Sequence, residues 1–375
     1  MVKIFTVLGL MSGTSGDGVD ASIISSDGIN QYKVLMNKYF EYDQKIQEKL
    51  HKLRENVLKF EDLKRKEDDI NYLEKEITLF HAKIVREILK LTDKEVDLIG
   101  FHGQTIYHNP LEKVSKQIGD GKLLSQLVKK KVVVNFRQKD INNGGEGAPL
   151  APIFHNLIVK QKKIKLPVCI LNIGGISNVT SITDYDKGSF LSRDLGPGNC
   201  LINQWIRNNT KSNFDKNGEI AKIGKINDLI LNQALDNFHN DRNNERLSFD
   251  INDFSLGFVR GLNLEDGAAT VTAFTGSIIG SRLLNFLSKS NNNSWRVLIC
   301  GGGRKNLTLI EKIKIETPKN FIIQPIDDYD IDGDYVESQA FAFLAIRSFL
   351  NLPISFPNTT GCQEPISGGD IIKNF

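Results

Sequence analysis

The sequence predicts an α/β protein built from two similar halves, with a cleft between them. Three strand-like runs open the chain, and three more in a row begin near Pro167. After each set the period changes to that of amphipathic helices, in which apolar residues recur every three or four positions. Each set of strands also carries a glycine-rich turn. The repeated order of elements indicates a duplicated core.

In the first half, the first two turns separate three strands at 4–10, 19–25 and 32–42. A long amphipathic helix is expected from Phe60 to Ile88, because its apolar side chains are spaced by three, four or seven residues. Two further strands and a short helix are expected at 97–101, 132–134 and 123–129.

In the second half, strands are expected at 168–172, 178–182, 190–193 and 296–300, with a helix from Thr270 to Leu287. A closing helix, Tyr335 to Leu350, ends before Pro353. The expected domains are residues 1–165 and 166–335, and the helix from about 336 is expected to return to the first domain.

Composition excludes several classes of function. The 375 residues are 40% hydrophobic and 25% charged, and 48 basic against 45 acidic residues leave a net charge of +3. This balance gives no reason to expect nucleic acid or a membrane as partner. No apolar run approaches the roughly 18 residues of a membrane span, so a cytoplasmic location is expected. The four cysteines have no metal-site or redox spacing and are expected to be reduced.

Three glycine-rich turns are candidates for binding a nucleotide. The first lies between two strand patterns and offers backbone N–H groups, hydroxyls and a carboxylate; its residues are Gly13, Thr14, Ser15, Gly16, Asp17 and Gly18. Asp17 is a candidate for holding Mg²⁺ through water. The third turn, Gly301, Gly302 and Gly303, suits an adenine or ribose platform. The alternative for each is a plain tight turn.

The second turn, at 194–199, adds a carboxylate to its glycines Gly196 and Gly198. Asp194 is expected at a strand end, placed as a general base near a transferring phosphoryl group, with a helix N-terminus near Leu201. The alternative is a helix start in which Asn199 is the cap and Asp194 only holds the loop. The hairpin with Gly174 and Gly175 is expected to face the same nucleotide.

Two further segments offer groups for a polar substrate. His102, Gln104 and Thr105 follow a strand and present imidazole and amide groups for sugar hydroxyls, although a lone histidine is more often structural. Arg137 is suited to a bidentate grip on a carboxylate, with a flexible loop through Gly147, Ala148 and Pro149 after it. The alternative is a surface ion pair between Arg137 and Asp140.

Taken in order, these motifs resemble those of the anhydro-N-acetylmuramic acid kinase family, in the superfamily of kinases, Hsp70 and actin. The resemblance spans the chain and rests on Met11–Ser15 with Asp17–Asp20, His102–Thr105, Phe136–Arg137 with Asp140, Gly144–Leu150, Leu171–Asn178, Gly196–Asn199, Gly301–Gly303 and Leu352–Gly361.

The resemblance implies a two-domain ribonuclease H-like (actin-like ATPase) fold with a central ATP and substrate cleft. It implies transfer of the γ-phosphoryl group of ATP to O6 of 1,6-anhydro-N-acetylmuramic acid, while water opens the anhydro bridge, as a step of peptidoglycan recycling. Asp194 would activate that water. Gly13 to Asp20, including Val19 and Asp20, would bind ATP phosphates and Mg²⁺, and Arg137 would bind the lactyl carboxylate. A homodimer is expected from family likeness alone.

Two positions depart from the family pattern. Leu195 replaces a threonine, and Leu247 stands where a lysine usually precedes Ser248. We expect activity with altered ATP affinity. The alternatives are a kinase for another amino sugar, in which Asp194 deprotonates the sugar hydroxyl, and a non-catalytic actin-like nucleotide switch.

Overall fold

The structure is a computed structural model that describes residues 3–185, 190–240, 247–290, 292 and 294–375. The chain divides into two compact units. Unit 1 comprises Met1–Lys163 and Tyr335–Phe375, and unit 2 comprises Ile164–Asp334. Each unit has its own sheet and its own hydrophobic core. The α/β class predicted from the sequence is confirmed.

Twelve strands are present in the described residues: β1 Phe5–Ser12, β2 Gly18–Ser26, β3 Tyr32–Glu41, β4 Leu98–Asn109, β5 Val114–Ile118, β6 Lys131–Val134, β7 Val168–Ile173, β8 Ile176–Ile182, β9 Phe190–Pro197, β10 Arg296–Cys300, β11 Ile322–Pro325 and β12 Asp370–Ile372. The α-helices are α1 Gln44–Asn56, α2 Phe60–Arg65, α3 Glu67–Leu91, α4 Gly121–Val128, α5 Gln138–Asn142, α6 Pro152–Gln161, α7 Asn199–Asn209, α8 Glu219–Ile223, α9 Asp228–Asn240, α10 Leu264–Leu287, α11 Leu307–Ile315, α12 Val336–Phe349 and α13 Pro357–Thr360.

The sheet of unit 1 has the order β12-β6-β4-β1-β2-β3, and β5 pairs with β4 beyond this path. Its central strands β1 and β4 run parallel, while β1, β2 and β3 form an antiparallel meander. Helix α12 packs on this sheet, which is possible because two glycines leave room for its backbone. A Cβ atom on Gly9 would lie 1.9 Å from the Ser338 carbonyl oxygen, and one on Gly100 would lie 2.4 Å from that of Phe341.

The sheet of unit 2 has the order β11-β10-β7-β8-β9. Strands β7, β8 and β9 form an antiparallel meander, and β10 runs parallel to both β7 and β11. Helix α10 is apolar around most of its circumference and lies against this core, with Ile278 and Ile279 fully buried. The repeated set of three consecutive strands predicted from the sequence is therefore confirmed, and in each unit these strands pair as an antiparallel meander.

Several boundaries differ from the predictions. The expected helix at 60–88 is two helices, because the backbone of Lys66 leaves helical geometry at φ −106° and ψ 19°. Strand β4 does not end at Phe101 but continues to Asn109, where its second half pairs with β5. The short strands β5, β11 and β12 were not predicted. Among the described residues, no helix is long and apolar enough to cross a membrane.

Candidate active site

The first glycine-rich turn closes the β1–β2 hairpin of unit 1, as predicted. Within it, the Gly16 N–H donates to the Gly13 carbonyl at 3.2 Å. Gly16 has φ +71°, a left-handed conformation that side chains disfavour. A Cβ atom on Gly13 would meet only the Ser15 hydroxyl, at 3.9 Å. The turn is therefore closely packed at Gly16 and open at Gly13.

Asp17 is held in place by hydrogen bonds to its backbone carbonyl, not to its carboxylate Oδ1. Its carbonyl oxygen accepts the Tyr42 N–H at 2.9 Å and the Gln47 side-chain amide at 3.2 Å. Its Oδ1 atom is buried and has no hydrogen-bond partner among the described residues. An orphaned carboxylate oxygen of this kind fits a water-bound Mg²⁺, which usually takes few protein ligands. Among the described residues, no group of three or more His, Cys, Asp or Glu is arranged to hold a metal ion.

Val19 and Asp20 follow the turn in β2. The Val19 side chain is fully buried in the core of unit 1, so a nucleotide contact there would have to involve the backbone. Asp20 pairs with Met11 on one side and Tyr39 on the other. Their contact with ATP remains a prediction.

Gln104 braces the hairpin from within the sheet. Its Oε1 accepts the Ser12 hydroxyl at 2.6 Å, and its Nε2 donates to the Gly13 carbonyl at 2.9 Å. The residue is fully buried. Because His102, Gln104 and Thr105 lie inside β4, the expectation that they follow a strand end is wrong. Their contact with a sugar remains a prediction.

His102 orients Arg137. The His102 Nδ1 lies 2.8 Å from the Gly103 carbonyl oxygen, so it carries the proton and leaves Nε2 as an acceptor. That Nε2 accepts from Nε and Nη2 of Arg137 at 3.2 and 2.9 Å. Burial, and then the charge of Arg137, lower the pKa of His102 well below its usual range. The histidine is therefore neutral and directs the guanidinium without adding charge.

The loop after Arg137 is held by Asp140. The Asp140 carboxylate accepts the Gly147 N–H at 2.7 Å and the Thr360 hydroxyl at 2.7 Å, and it is 1% exposed. The alternative in which Asp140 belongs to a surface ion pair is therefore wrong. Arg137 Nη1 donates to the Gly147 carbonyl at 2.8 Å. The Ala148–Pro149 peptide bond that follows is cis.

In unit 2, the turn with Gly174 and Gly175 is joined to the turn before α7. The N–H groups of Gly198 and Cys200 donate to the Gly175 carbonyl at 2.8 and 3.1 Å, and the Asn199 N–H donates to that of Gly174 at 2.8 Å. These donors at the helix start are thus used within the protein. Gly198, not Asn199, occupies the cap position, so the alternative in which Asn199 caps the helix is wrong.

Asp194 lies inside β9, three residues before its end, rather than at the end. It is 5% exposed. Its Oδ2 accepts the Phe249 N–H at 2.9 Å, and its own N–H donates to the Leu247 carbonyl at 2.8 Å. The segment around 247–249 therefore fixes the carboxylate, a role that the sequence did not reveal. Gly196, two residues after Asp194, has φ +144°, and a Cβ atom there would lie 2.8 Å from Ile278.

A positive group lies close to this carboxylate. The Arg282 guanidinium is 5.3 Å from the ring centroid of Phe249 and 5.6 Å from that of Phe238. Burial, followed by the charge of Arg193, lowers the pKa of Arg282 to about 10, while the charge of Asp194 acts in the opposite direction. Arg282 and Asp194 therefore interact electrostatically.

The two departures from the family pattern have different surroundings. Leu195 is fully buried in the core of unit 2, so its side chain does not face a solvent-accessible turn. A threonine hydroxyl at position 195 would therefore be buried in the core, so replacing it with leucine mainly affects packing rather than the phosphate loop. Leu247 contributes its carbonyl to Asp194 through the backbone, a contact that does not depend on the side chain.

The third turn begins at Gly301, which has φ +78° and donates its N–H to the Gly333 carbonyl at 2.9 Å. Arg304 holds this turn: Nη1 donates to the Gly301 carbonyl at 3.1 Å, and the guanidinium pairs with Asp327 and Asp334. A Cβ atom on Gly303 would lie 2.2 Å from Ile173, whereas one on Gly302 would meet no heavy atom within 4 Å. Gly302 therefore offers open space for a flat ring.

Each of the two α/β units presents glycine-rich turns next to ordered polar side chains, an arrangement that α/β phosphotransferases use to bind phosphate groups. The family model for anhydro-N-acetylmuramic acid kinase matches residues 5–374. The chain is 54% identical over 375 residues to the anhydro-N-acetylmuramic acid kinase of Pelagibacter ubique, with 100% of each chain covered. It is 38% identical over 372 residues to that of Zymomonas mobilis, with 97% of this chain and 98% of the relative covered. The chain belongs to the anhydro-N-acetylmuramic acid kinase family.

Among solved structures, a hexokinase from Schistosoma mansoni complexed with glucose aligns with 91% of this chain and 85% of its own, at 12% identity and a TM-score of 0.40. The whole-chain relatives favour neither the non-catalytic switch nor another amino sugar kinase.

Proposed function

We propose that this enzyme phosphorylates O6 of 1,6-anhydro-N-acetylmuramic acid with ATP while water opens the anhydro bridge, giving N-acetylmuramic acid 6-phosphate and ADP. The observation that carries the proposal is the buried, hydrogen-bonded Asp194 in a chain related over its full length to kinases named for this sugar. A cytoplasmic location and a homodimer remain predictions.

Asp194 acts as the general base on the attacking water. The Phe249 N–H fixes one carboxylate oxygen and so restricts rotation of the side chain. The Arg282 guanidinium interacts electrostatically with this carboxylate. A carboxylate must be ionised to accept a proton as general base. As the water attacks the anomeric carbon, cleavage of the bridge frees O6 to receive the phosphoryl group.

The phosphate groups of ATP bind at the turn of Gly13 to Gly18 in unit 1. Backbone N–H groups next to glycine can approach phosphate oxygens closely, since no side chain intervenes. A bound Mg²⁺ would supply positive charge to offset that of the ATP phosphates. Asp17 is the residue that would hold it, through water, because its Oδ1 atom lacks a partner among the described residues.

Arg137 binds the lactyl carboxylate of the sugar. This carboxylate distinguishes the muramic acid substrate from N-acetylglucosamine. His102 orients the guanidinium, and the Gly147 carbonyl holds its Nη1. A planar guanidinium fixed in this way can recognise a carboxylate with little loss of side-chain entropy on binding.

The test is a coupled assay of ADP release with three sugars: 1,6-anhydro-N-acetylmuramic acid, N-acetylmuramic acid and N-acetylglucosamine. We expect turnover with the anhydro sugar and little with the others. Preference for another sugar would support the amino sugar alternative and contradict the proposal. A reaction in ¹⁸O-labelled water, analysed rapidly, should place label at the anomeric oxygen; absence of label would rule out the hydrolytic route.

A further inference from the structure

Arg54, which belongs to none of the sequence motifs, lies behind the first glycine-rich turn of unit 1. It comes from the last turn of α1, and only 4% of it is exposed. Its Nη1 donates to the Thr14 carbonyl at 2.5 Å, while its Nε and Nη2 donate to the Thr105 carbonyl at 3.1 and 2.8 Å. One guanidinium thus joins the turn to the middle of β4.

Other residues at α1 hold the same turn. A Cβ atom on Gly16 would lie 2.7 Å from Leu50, so the helix packs directly on the turn. Tyr42 and Gln47 bind the Asp17 carbonyl. The side of the turn that faces α1 is therefore occupied by protein contacts.

The direction of the Thr14 carbonyl determines where the next N–H points. A trans peptide unit is planar, and its carbonyl and N–H point in opposite directions. Because the Thr14 carbonyl points to Arg54, the Ser15 N–H points away from it. That N–H is a suitable donor for a phosphate oxygen of ATP.

We propose that Arg54 is a positioning residue, which fixes the Thr14–Ser15 peptide for phosphate binding and ties it to Thr105 on β4. This inference rests on the proposed function. Lysine cannot replace the arginine fully, because a single ammonium group lacks the planar fork that reaches two carbonyls at once.

The experiment measures ATP binding by calorimetry, without sugar, and steady-state kinetics for Arg54→Gln, Arg54→Lys and the control Arg86→Gln. Arg86 lies in the same unit, is exposed, and also donates to a carbonyl, that of Leu127. We expect Arg54→Gln to weaken ATP binding about tenfold, with KM for ATP raised by a similar factor and kcat within about threefold. Arg54→Lys should recover part of the loss, and the control should stay within about twofold.

Folding is checked by circular dichroism. If folded Arg54→Gln binds ATP within about twofold of the unchanged protein, the positioning role is refuted. A loss confined to kcat would also refute it. Should Arg54→Gln fail to fold, Arg54→Lys decides by the same criteria, and misfolding of both would assign Arg54 to folding instead. If the unchanged protein does not bind ATP, the proposed function fails rather than this inference alone.

Discussion

Asp194→Asn separates chemistry from structure at the proposed base. Asparagine has nearly the same shape, and its side-chain oxygen can still accept the Phe249 N–H that Oδ2 accepts at 2.9 Å. The bond loses its charge assistance, which lowers the free energy of unfolding by about 1 kcal/mol or less. The amide, however, cannot take a proton from water at neutral pH.

The expected loss in kcat is at least about a hundredfold, the low end for removal of a general base. This corresponds to about 2.7 kcal/mol of transition-state stabilisation. ATP binding should change little, since the substitution removes no group assigned to the nucleotide. KM for ATP is therefore expected within about threefold of the unchanged enzyme.

The assay is coupled ADP release at saturating sugar and ATP, with calorimetry for ATP binding. Asp228→Asn is the matched control, because Asp228 is an exposed carboxylate in the first turn of α9 of the same unit. The control should keep kcat within about twofold. If Asp194→Asn retains more than about a fifth of kcat, the assignment of Asp194 as general base is refuted.

Three further outcomes are expected. Gly198→Ala places a Cβ atom 2.4 Å from a carbonyl oxygen of the facing turn. ATP affinity should therefore fall, and the free energy of unfolding measured in urea should fall by about 1–3 kcal/mol. The control Gly257→Ala should change neither, and equal stability of the two variants would contradict the prediction. Leu195→Thr should lower the free energy of unfolding by about 2–4 kcal/mol, because it buries a hydroxyl and leaves a cavity in the core. It should not tighten ATP binding. Tighter binding by calorimetry at unchanged stability would contradict this prediction. Burial lowers the pKa of His81 to about 4 and that of His155 to about 3. Below about pH 6.5 the unfolded chain binds protons at these two histidines, whereas the folded chain does not. Each histidine should therefore lower the free energy of unfolding by about 2 kcal/mol between pH 7 and pH 5. A free energy of unfolding that stays constant over this range would refute the prediction.

Local features of the chain allowed much of the fold to be predicted. The hairpins at Gly13–Gly18 and Gly174–Gly175 follow from glycines between β-type runs, a signal carried by adjacent residues. The long helix α3 follows from the spacing of its apolar residues, and α10 from a long run of helix-compatible residues interrupted by two glycines. The short strands β5, β11 and β12 have three to five residues and depend on pairing with distant strands, so no local pattern marks them.

The surroundings of the candidate site were less predictable. Nothing near Arg54 in the sequence indicates that it binds carbonyls at positions 14 and 105, and nothing near Phe249 indicates a bond to Asp194. Gln104 has the residue type of a sugar ligand, yet the structure uses both ends of its amide inside the sheet. Such contacts join residues far apart in the chain.

The sequence by itself determined the α/β class, the repeated set of three strands, the family and the chemical types available. Period and glycine placement are properties of neighbouring residues, and motif order can be read directly along the chain. Tertiary structure alone decided which of these groups are consumed within the protein and which remain for a ligand. The first turn shows the difference. Its glycines and Asp17 are evident in the sequence, but the burial of Asp17 Oδ1 without a partner among the described residues is a result of tertiary packing. The inward direction of the Thr14 carbonyl results from its contact with Arg54 of α1.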